Sequence, residues 1–231
     1  MTPEQSIGNF SAGKSTSARI YETLRQMILT QELKPGERLV EAKIANILHV
    51  SITPVRQAFS FLSAQGLLTV FPYRGTYVTI MSQESANDLM NTRKVLEPVV
   101  ADMAFPHLAS TDADYLTKLC ELSDISEQMG NLVESIEYDV RFHEFFFEKS
   151  RSPLMMDLWG LLRNRIIFFQ CINRSKCHVD VPSLVNRHAK IIDAVRRLDK
   201  EALSNAIIQH LDTTLRLAVL PLEADIDYAG E

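Results

Sequence analysis

The sequence predicts a mainly α protein in two parts: a small N-terminal head of three helices and a β-hairpin, then a C-terminal antiparallel all-α bundle of about six helices. Three observations predict this. Apolar residues recur at helical spacing over most of the chain. Residues 67–80 instead hold two β-branched and aromatic runs around Pro72-Tyr73-Arg74-Gly75, which is hairpin chemistry. Charge divides at the same place: residues 1–81 carry eight Lys and Arg against five Glu, a net +3, and the remainder carries 16 bases against 24 acids, a net −8. A polyanion is drawn to the first part and repelled by the second.

Composition narrows the function classes. The 231 residues are 46% hydrophobic and 23% charged, which excludes a disordered, collagen-like or fibrous chain. Mean hydropathy is -0.04, and no apolar run approaches the roughly 18–20 residues of a membrane span. The first twenty residues lack the apolar core of a signal peptide. Three cysteines, Cys120, Cys171 and Cys177, are too few for a disulfide scaffold. The expected location is the cytoplasm, with no membrane partner.

The elements follow in order. Residues 1–16 read as a flexible tail. From Ser17, a candidate N-cap, Ile20, Leu24, Met27 and Ile28 make one helical face, which Lys34-Pro35-Gly36 stops. A second helix covers about 41–48. A third follows Ser51, with Pro54 tolerated in its first turn and Gly66 ending it. The hairpin closes a head spanning 17–81. Helices near 83–108, 112–129, 132–149, 153–174, 182–198 and 200–219 build the body, 82–220, with Asp199 as the N-cap of the last. Residues 221–231 form an acidic tail.

Two helices joined by a tight turn, with a hairpin after the second, describe a winged helix-turn-helix. In that arrangement the N-terminal end of the second helix enters the DNA major groove. Ser51, Ile52, Thr53, Arg56 and Gln57 hold those positions. Arg56 offers a fork for guanine; Ser51 and Thr53 suit phosphate. Arg74 and Gly75 mark the wing tip, and Lys43 and Arg38 lie where backbone contacts are made. The alternative is a solvated polar face. Leu33-Lys34-Pro35-Gly36-Glu37-Arg38-Leu39, Val50-Ser51-Ile52-Thr53-Pro54-Val55-Arg56 and Arg74-Gly75-Thr76-Tyr77-Val78 together resemble the GntR family of bacterial transcription regulators. The resemblance covers about residues 17–80 and implies binding to double-stranded operator DNA. Ile52 and Ala42 stand where that family often has arginine, and His49 where it often has glycine.

In the body, Asp139 and His143 are four residues apart and share a helix face. His188 and His210 each sit on the apolar stripe of a later helix. Convergence of one carboxylate and three imidazoles makes a divalent-metal site; zinc comes first, with nickel, manganese or iron as alternatives. The other reading is four unrelated side chains. Asp139-x-x-x-His143, then His188-x-x-Ile191-x-x-Ala194, then His210, is similar to the FCD effector domain of FadR-type GntR regulators. This resemblance implies a metal on those four residues, a small carboxylate effector and a homodimer. Arg93, with Glu97 four residues on, matches the start of that domain and is the candidate effector-binding residue; a structural ion pair with Glu97 is its alternative. Arg163, Asn164 and Arg165 are candidates for one cavity-lining side chain. Phe142, Phe145, Phe146 and Phe147 are expected in the core or on the dimer surface. The family's usual Ser-Gly-Asn is Ser150-Arg151-Ser152 here. A ligand-responsive regulator, in the first place a repressor, is the reading carried forward. A metal-dependent enzyme using the Asp/His₃ set and an architectural DNA-binding protein are its rivals.

Overall fold

The structure, a computed structural model, describes residues 15–176, 183–216 and 228. The tails expected at 1–16 and 221–231 thus lie almost entirely outside the described residues, as do Cys177 and the neighbouring His178. The chain divides into two compact units, residues 1–80 with 225–231, and residues 81–224.

The first unit opens with α1 (Thr16–Leu29), which buries Ile20, Leu24, Ile28 and Leu29. The Ser15 hydroxyl, two residues before the expected cap, accepts from the Ala18 N–H at 3.2 Å. Then come β1 (Arg38–Leu39), α2 (Glu41–Ile47), α3 (Ile52–Ala64), β2 (Leu68–Phe71) and β3 (Gly75–Val78). The expected two-stranded hairpin is a three-stranded antiparallel sheet in the order β1-β3-β2, with Arg38 opposite Tyr77 and Leu68 opposite Val78. Ser51 holds the N-cap position of α3 in extended conformation, but its hydroxyl makes no cap bond. Val55, Ala58, Phe59 and Leu62 face the core, as their spacing predicts. At the wing tip Tyr73 and Gly75 have positive φ, 64° and 117°; a Cβ on Gly75 would meet Arg38 Nε at 3.0 Å. Tyr228 joins this unit from the far end of the chain. Its hydroxyl accepts from the Ile80 N–H at 3.0 Å, and its ring lies 4.9 Å from that of Phe71 and 5.8 Å from that of Tyr77.

The second unit is helical: α4 (Gln83–Ala104), a 3₁₀ turn (Phe105–His107), α5 (Asp112–Gln128), α6 (Leu132–Lys149), α7 (Pro153–Lys176), α8 (Leu184–Arg197) and α9 (Lys200–Arg216). Among the described residues this gives the six helices expected. α4 packs chiefly against α9 and α6, and α5 against α6 and α8. Ser82 and Ser183 cap α4 and α8, and Asp199 Oδ1 accepts from Ala202 N at 3.0 Å, the predicted cap of α9. Asp124 on α5 also accepts from Leu184 N at 2.6 Å, so α5 holds the start of α8. Phe142, Phe145, Phe146 and Phe147 are all buried, with Trp159, Phe168 and Phe169. Among the described residues no helix is long and apolar enough to cross a membrane.

His49 and Arg151, the two residues standing where the related family usually has glycine, both adopt positive φ, 52° and 55°. A non-glycine residue there costs roughly 1–2 kcal/mol, partly offset because glycine loses more entropy on folding. Arg151 is exposed and follows the last turn of α6. Arg151→Gly should therefore raise the unfolding free energy by about 0.5–1 kcal/mol in urea titrations; a loss of stability would show that the arginine side chain outweighs its backbone strain.

Candidate functional site

The four residues predicted to converge do so. Asp139 and His143 come from α6, His188 from α8 and His210 from α9, and one potential ligand atom from each lies within 4.8 Å of the others. The first three are buried and His210 is half-buried. Phe142 walls the cluster, its ring 4.3 Å from that of His188.

Hydrogen bonds fix which atoms face inward. His188 Nδ1 donates to the Leu184 carbonyl at 3.0 Å. His143 Nδ1 donates to Glu97 Oε2 at 2.7 Å. With each Nδ1 donating, Nε2 is the ring atom turned toward the cluster, and the two Nε2 atoms stand 3.4 Å apart. Asp139 Oδ2 accepts from Gln170 Nε2 on α7 at 2.5 Å. Oδ1 lies 3.3 Å from His188 Nε2, which has no proton to give, and is buried without a hydrogen bond. Such an oxygen costs about 1–3 kcal/mol unless a partner arrives. Ligands of one ion at about 2.1 Å can lie up to about 4.2 Å apart, so the donor set needs little closure to fit a cation.

Burial pushes the His188 imidazole down to about 3, although Asp139 opposes this. Burial also drives His210 well below its ordinary value, with the other two rings adding to the effect. Burial alone would raise the Asp139 carboxyl, but His188, His143 and Arg187 hold it well below the usual carboxylate range. For Glu97 burial is likewise overcome, by the charge of Arg93 and the proximity of His143, and its carboxyl is held down at about 2. Neutral imidazoles facing a carboxylate are the protonation states a metal requires.

Arg93 is 1% exposed on α4. Its Nε donates to Glu97 Oε1 at 2.5 Å, while its Nη2 is buried with no partner. The ion pair expected as one reading of Arg93 thus exists and still leaves a donor over.

Beside His210 lies a cavity of about 250 Å³, lined on its charged side by Arg174, Arg187 and Lys190. No acid lines it among the described residues. Arg93 is not among the lining residues, nor are Arg163, Asn164 or Arg165; from α7 the lining comes instead from Gln170, Asn173 and Arg174. Sequence reasoning missed this basic trio, although Arg187 and Lys190 share a helix face beside His188. It also missed Glu97 as the partner of His143, and Gln170.

In the first unit Lys43, Ser51, Ile52, Thr53, Arg56, Gln57 and Arg74 are exposed and Gly75 is half-buried. Arg56 Nε donates to Glu41 Oε2 at 3.1 Å. That bond uses one donor of the guanidinium and leaves its outer edge for a ligand.

Comparison with known proteins gives two family matches: the FCD domain over residues 88–213, and bacterial regulatory proteins of the gntR family over residues 16–78. The chain is 31% identical over 208 residues to an uncharacterized HTH-type transcriptional regulator in an unstable DNA locus of Streptomyces ambofaciens, covering 86% of this chain and 83% of that one. It is 27% identical over 194 residues to the HTH-type transcriptional repressor RspR of Escherichia coli (strain K12), covering 84% of each. Among solved structures, a putative GntR transcriptional regulator from Rhodococcus sp. RHA1 superposes with TM-score 0.73 at 22% identity, covering 88% of this chain and 97% of that one; this is a likeness of fold.

The titrations set a pH response. In the unfolded chain an imidazole gains its proton near pH 6.5, whereas folded His188 does so only near 3. Between those values the unfolded state binds more protons, so stability falls as pH falls. Glu97, ordinarily near 4.5, and Asp139 add losses at lower pH, because protonation removes carboxylates that the fold stabilises. Chelator-treated protein should lose about 1.4 kcal/mol per pH unit for each such proton below about pH 6.5. Urea midpoints compared at about pH 7.5, 6 and 5 measure this; a flat profile would contradict the neutral, buried imidazoles.

Proposed function

The chain belongs to the GntR family of bacterial transcription regulators and carries the family's FCD domain, and from that membership we propose an effector-responsive repressor whose sensor is a divalent-metal site on Asp139, His143, His188 and His210. It is a transcription regulator rather than an enzyme, as are the relatives it matches. The observation that carries the sensor reading is the buried Asp139 Oδ1, left without a hydrogen bond among imidazole nitrogens within 4.8 Å.

One carboxylate and three imidazoles suit Zn²⁺ first, then Ni²⁺, Mn²⁺ or Fe²⁺. A bound ion supplies positive charge and open coordination positions that a small carboxylate can occupy. The protein supplies the rest. Arg174, Arg187 and Lys190 make a locally cationic cavity in the acidic part of the chain and favour an anionic effector. The spare Nη2 of Arg93, which lies outside the lining of that cavity, offers a charge-assisted hydrogen bond to an anion bound at the metal cluster itself.

Residues 17–81 serve as the DNA-binding head and residues 82–220 as the effector and dimerisation body, with 1–16 and 221–231 as tails. A homodimer on a pseudo-palindromic operator matches two-fold protein symmetry to two half-sites. Val95, Val99 and Met103 give α4 an exposed apolar stripe that supports self-association. Ser51, Ile52, Thr53, Arg56 and Gln57 face the major groove, Arg74 and Gly75 the adjacent groove, and Lys43 the backbone. Ile52 presents an apolar edge suited to a thymine methyl. The sign, repression relieved by effector in the cytoplasm, follows the repressor named among its relatives.

His188→Ala should lower metal content and thermal stability together, because ion binding adds to the folding free energy. Metal analysis beside thermal unfolding reads both; unchanged stoichiometry would remove His188 from the site. Arg56→Ala should weaken operator binding by about 1–3 kcal/mol if it reads a guanine. Equal loss on unrelated sequences in the same titration would make it a phosphate contact.

A further inference from the structure

Glu97 is the only acid that joins the two functional groups of the body among the described contacts. Its carboxylate is divided: Oε1 accepts from Arg93 Nε at 2.5 Å and Oε2 accepts from His143 Nδ1 at 2.7 Å. All three side chains are buried, at 1% exposure for Arg93, 3% for Glu97 and 2% for His143. Arg93 and Glu97 sit on α4, whereas His143 sits on α6. Arg93 makes no hydrogen bond to any of the four clustered ligand residues among the contacts described, so this carboxylate is its hydrogen-bonded route to them.

We infer that Glu97 is a positioning residue that couples the effector arm to the metal centre, orienting His143 while registering how Arg93 is engaged. This rests on the metal-site reading above and extends it to regulation. Two physical consequences follow. A carboxylate accepting from Nδ1 fixes the ring's tautomer and orientation and makes Nε2 a better electron-pair donor; removing such a partner costs about 10–100-fold in metal affinity. The same carboxylate cannot change its hold on Arg93 without changing its charge and position toward His143. An anion that takes the spare Nη2 of Arg93 weakens the guanidinium's grip on Oε1, which leaves more charge for the His143 N–H and strengthens the ligand. By linkage, the ion must then strengthen anion binding by the same factor.

The test is zinc affinity, by competition with a chromophoric chelator, for the full chain as wild type, Glu97→Gln, Arg93→Lys and the double variant, with far-UV circular dichroism to verify folding. Arg93→Lys keeps the charge but replaces the guanidinium's fixed grip on Glu97, and the zinc titration contains no added anion, so the lost Nη2 donor has no partner to lose. The expected result is one zinc per chain throughout and a 10–100-fold loss for Glu97→Gln. Arg93→Lys should give a severalfold change in the wild-type background and none in the Glu97→Gln background. Equal zinc affinity for Glu97→Gln and wild type overturns the inference. So does an Arg93→Lys effect of the same size in both backgrounds, which would mean that the arginine acts through space. Should Glu97→Gln fail to fold, Arg93→Lys alone decides, because it leaves the carboxylate in place and unchanged affinity overturns the coupling. No zinc binding by folded wild-type protein is a different result and defeats the metal site itself.

Discussion

A carboxylate sealed inside a phenylalanine-walled core sets the terms for the whole helical unit. Asp139 has one oxygen satisfied by Gln170 and the other left facing three imidazoles. Nothing in an apolar interior tolerates that arrangement unless every supporting group is held in place. Accordingly α6, α8 and α9 bring the facing side chains, α7 brings Gln170, and α4 brings Glu97 to the back of His143. α5 takes part indirectly, since Asp124 grips the first turn of the helix that carries His188. All six helices therefore share one polar centre, and a shift in any of them is felt there.

Electrostatics repeats this pattern on a larger scale. The body is acidic as a whole, yet its cavity gathers Arg174, Arg187 and Lys190. An acidic exterior discourages contact with nucleic acid, while a basic interior pocket draws a small anion. The head reverses this, with its basic residues outward on α2, α3 and the wing. The two units thus place their basic residues differently, outward on the first and around a cavity in the second.

Much of this was legible in the sequence because it is periodic. Helices of 14 to 24 residues leave a repeating apolar stripe, and Asp139 and His143 announce a shared face by spacing alone. What stayed hidden lacks a period. The two-residue strand β1 is too short to alternate. The run Ser15-Thr16-Ser17 offers three hydroxyls, and only the backbone decides that Ser15 caps α1. Ser51 looks like a cap and makes no such bond. Gln170 and Glu97 resemble ordinary polar helix residues until the neighbouring helix is in view. Arg93 and Glu97 were visible as an i,i+4 pair, but the second oxygen of Glu97 belongs to a residue 46 positions away.

Tyr228 lies 148 positions from the amide whose proton it accepts, and its ring packs at steep angles against Phe71 and Tyr77 of the hairpin. The head is consequently not a contiguous stretch of polypeptide. Cutting the gene after the hairpin to obtain an isolated reading module strips away an aromatic neighbour and uncovers the surface beneath it.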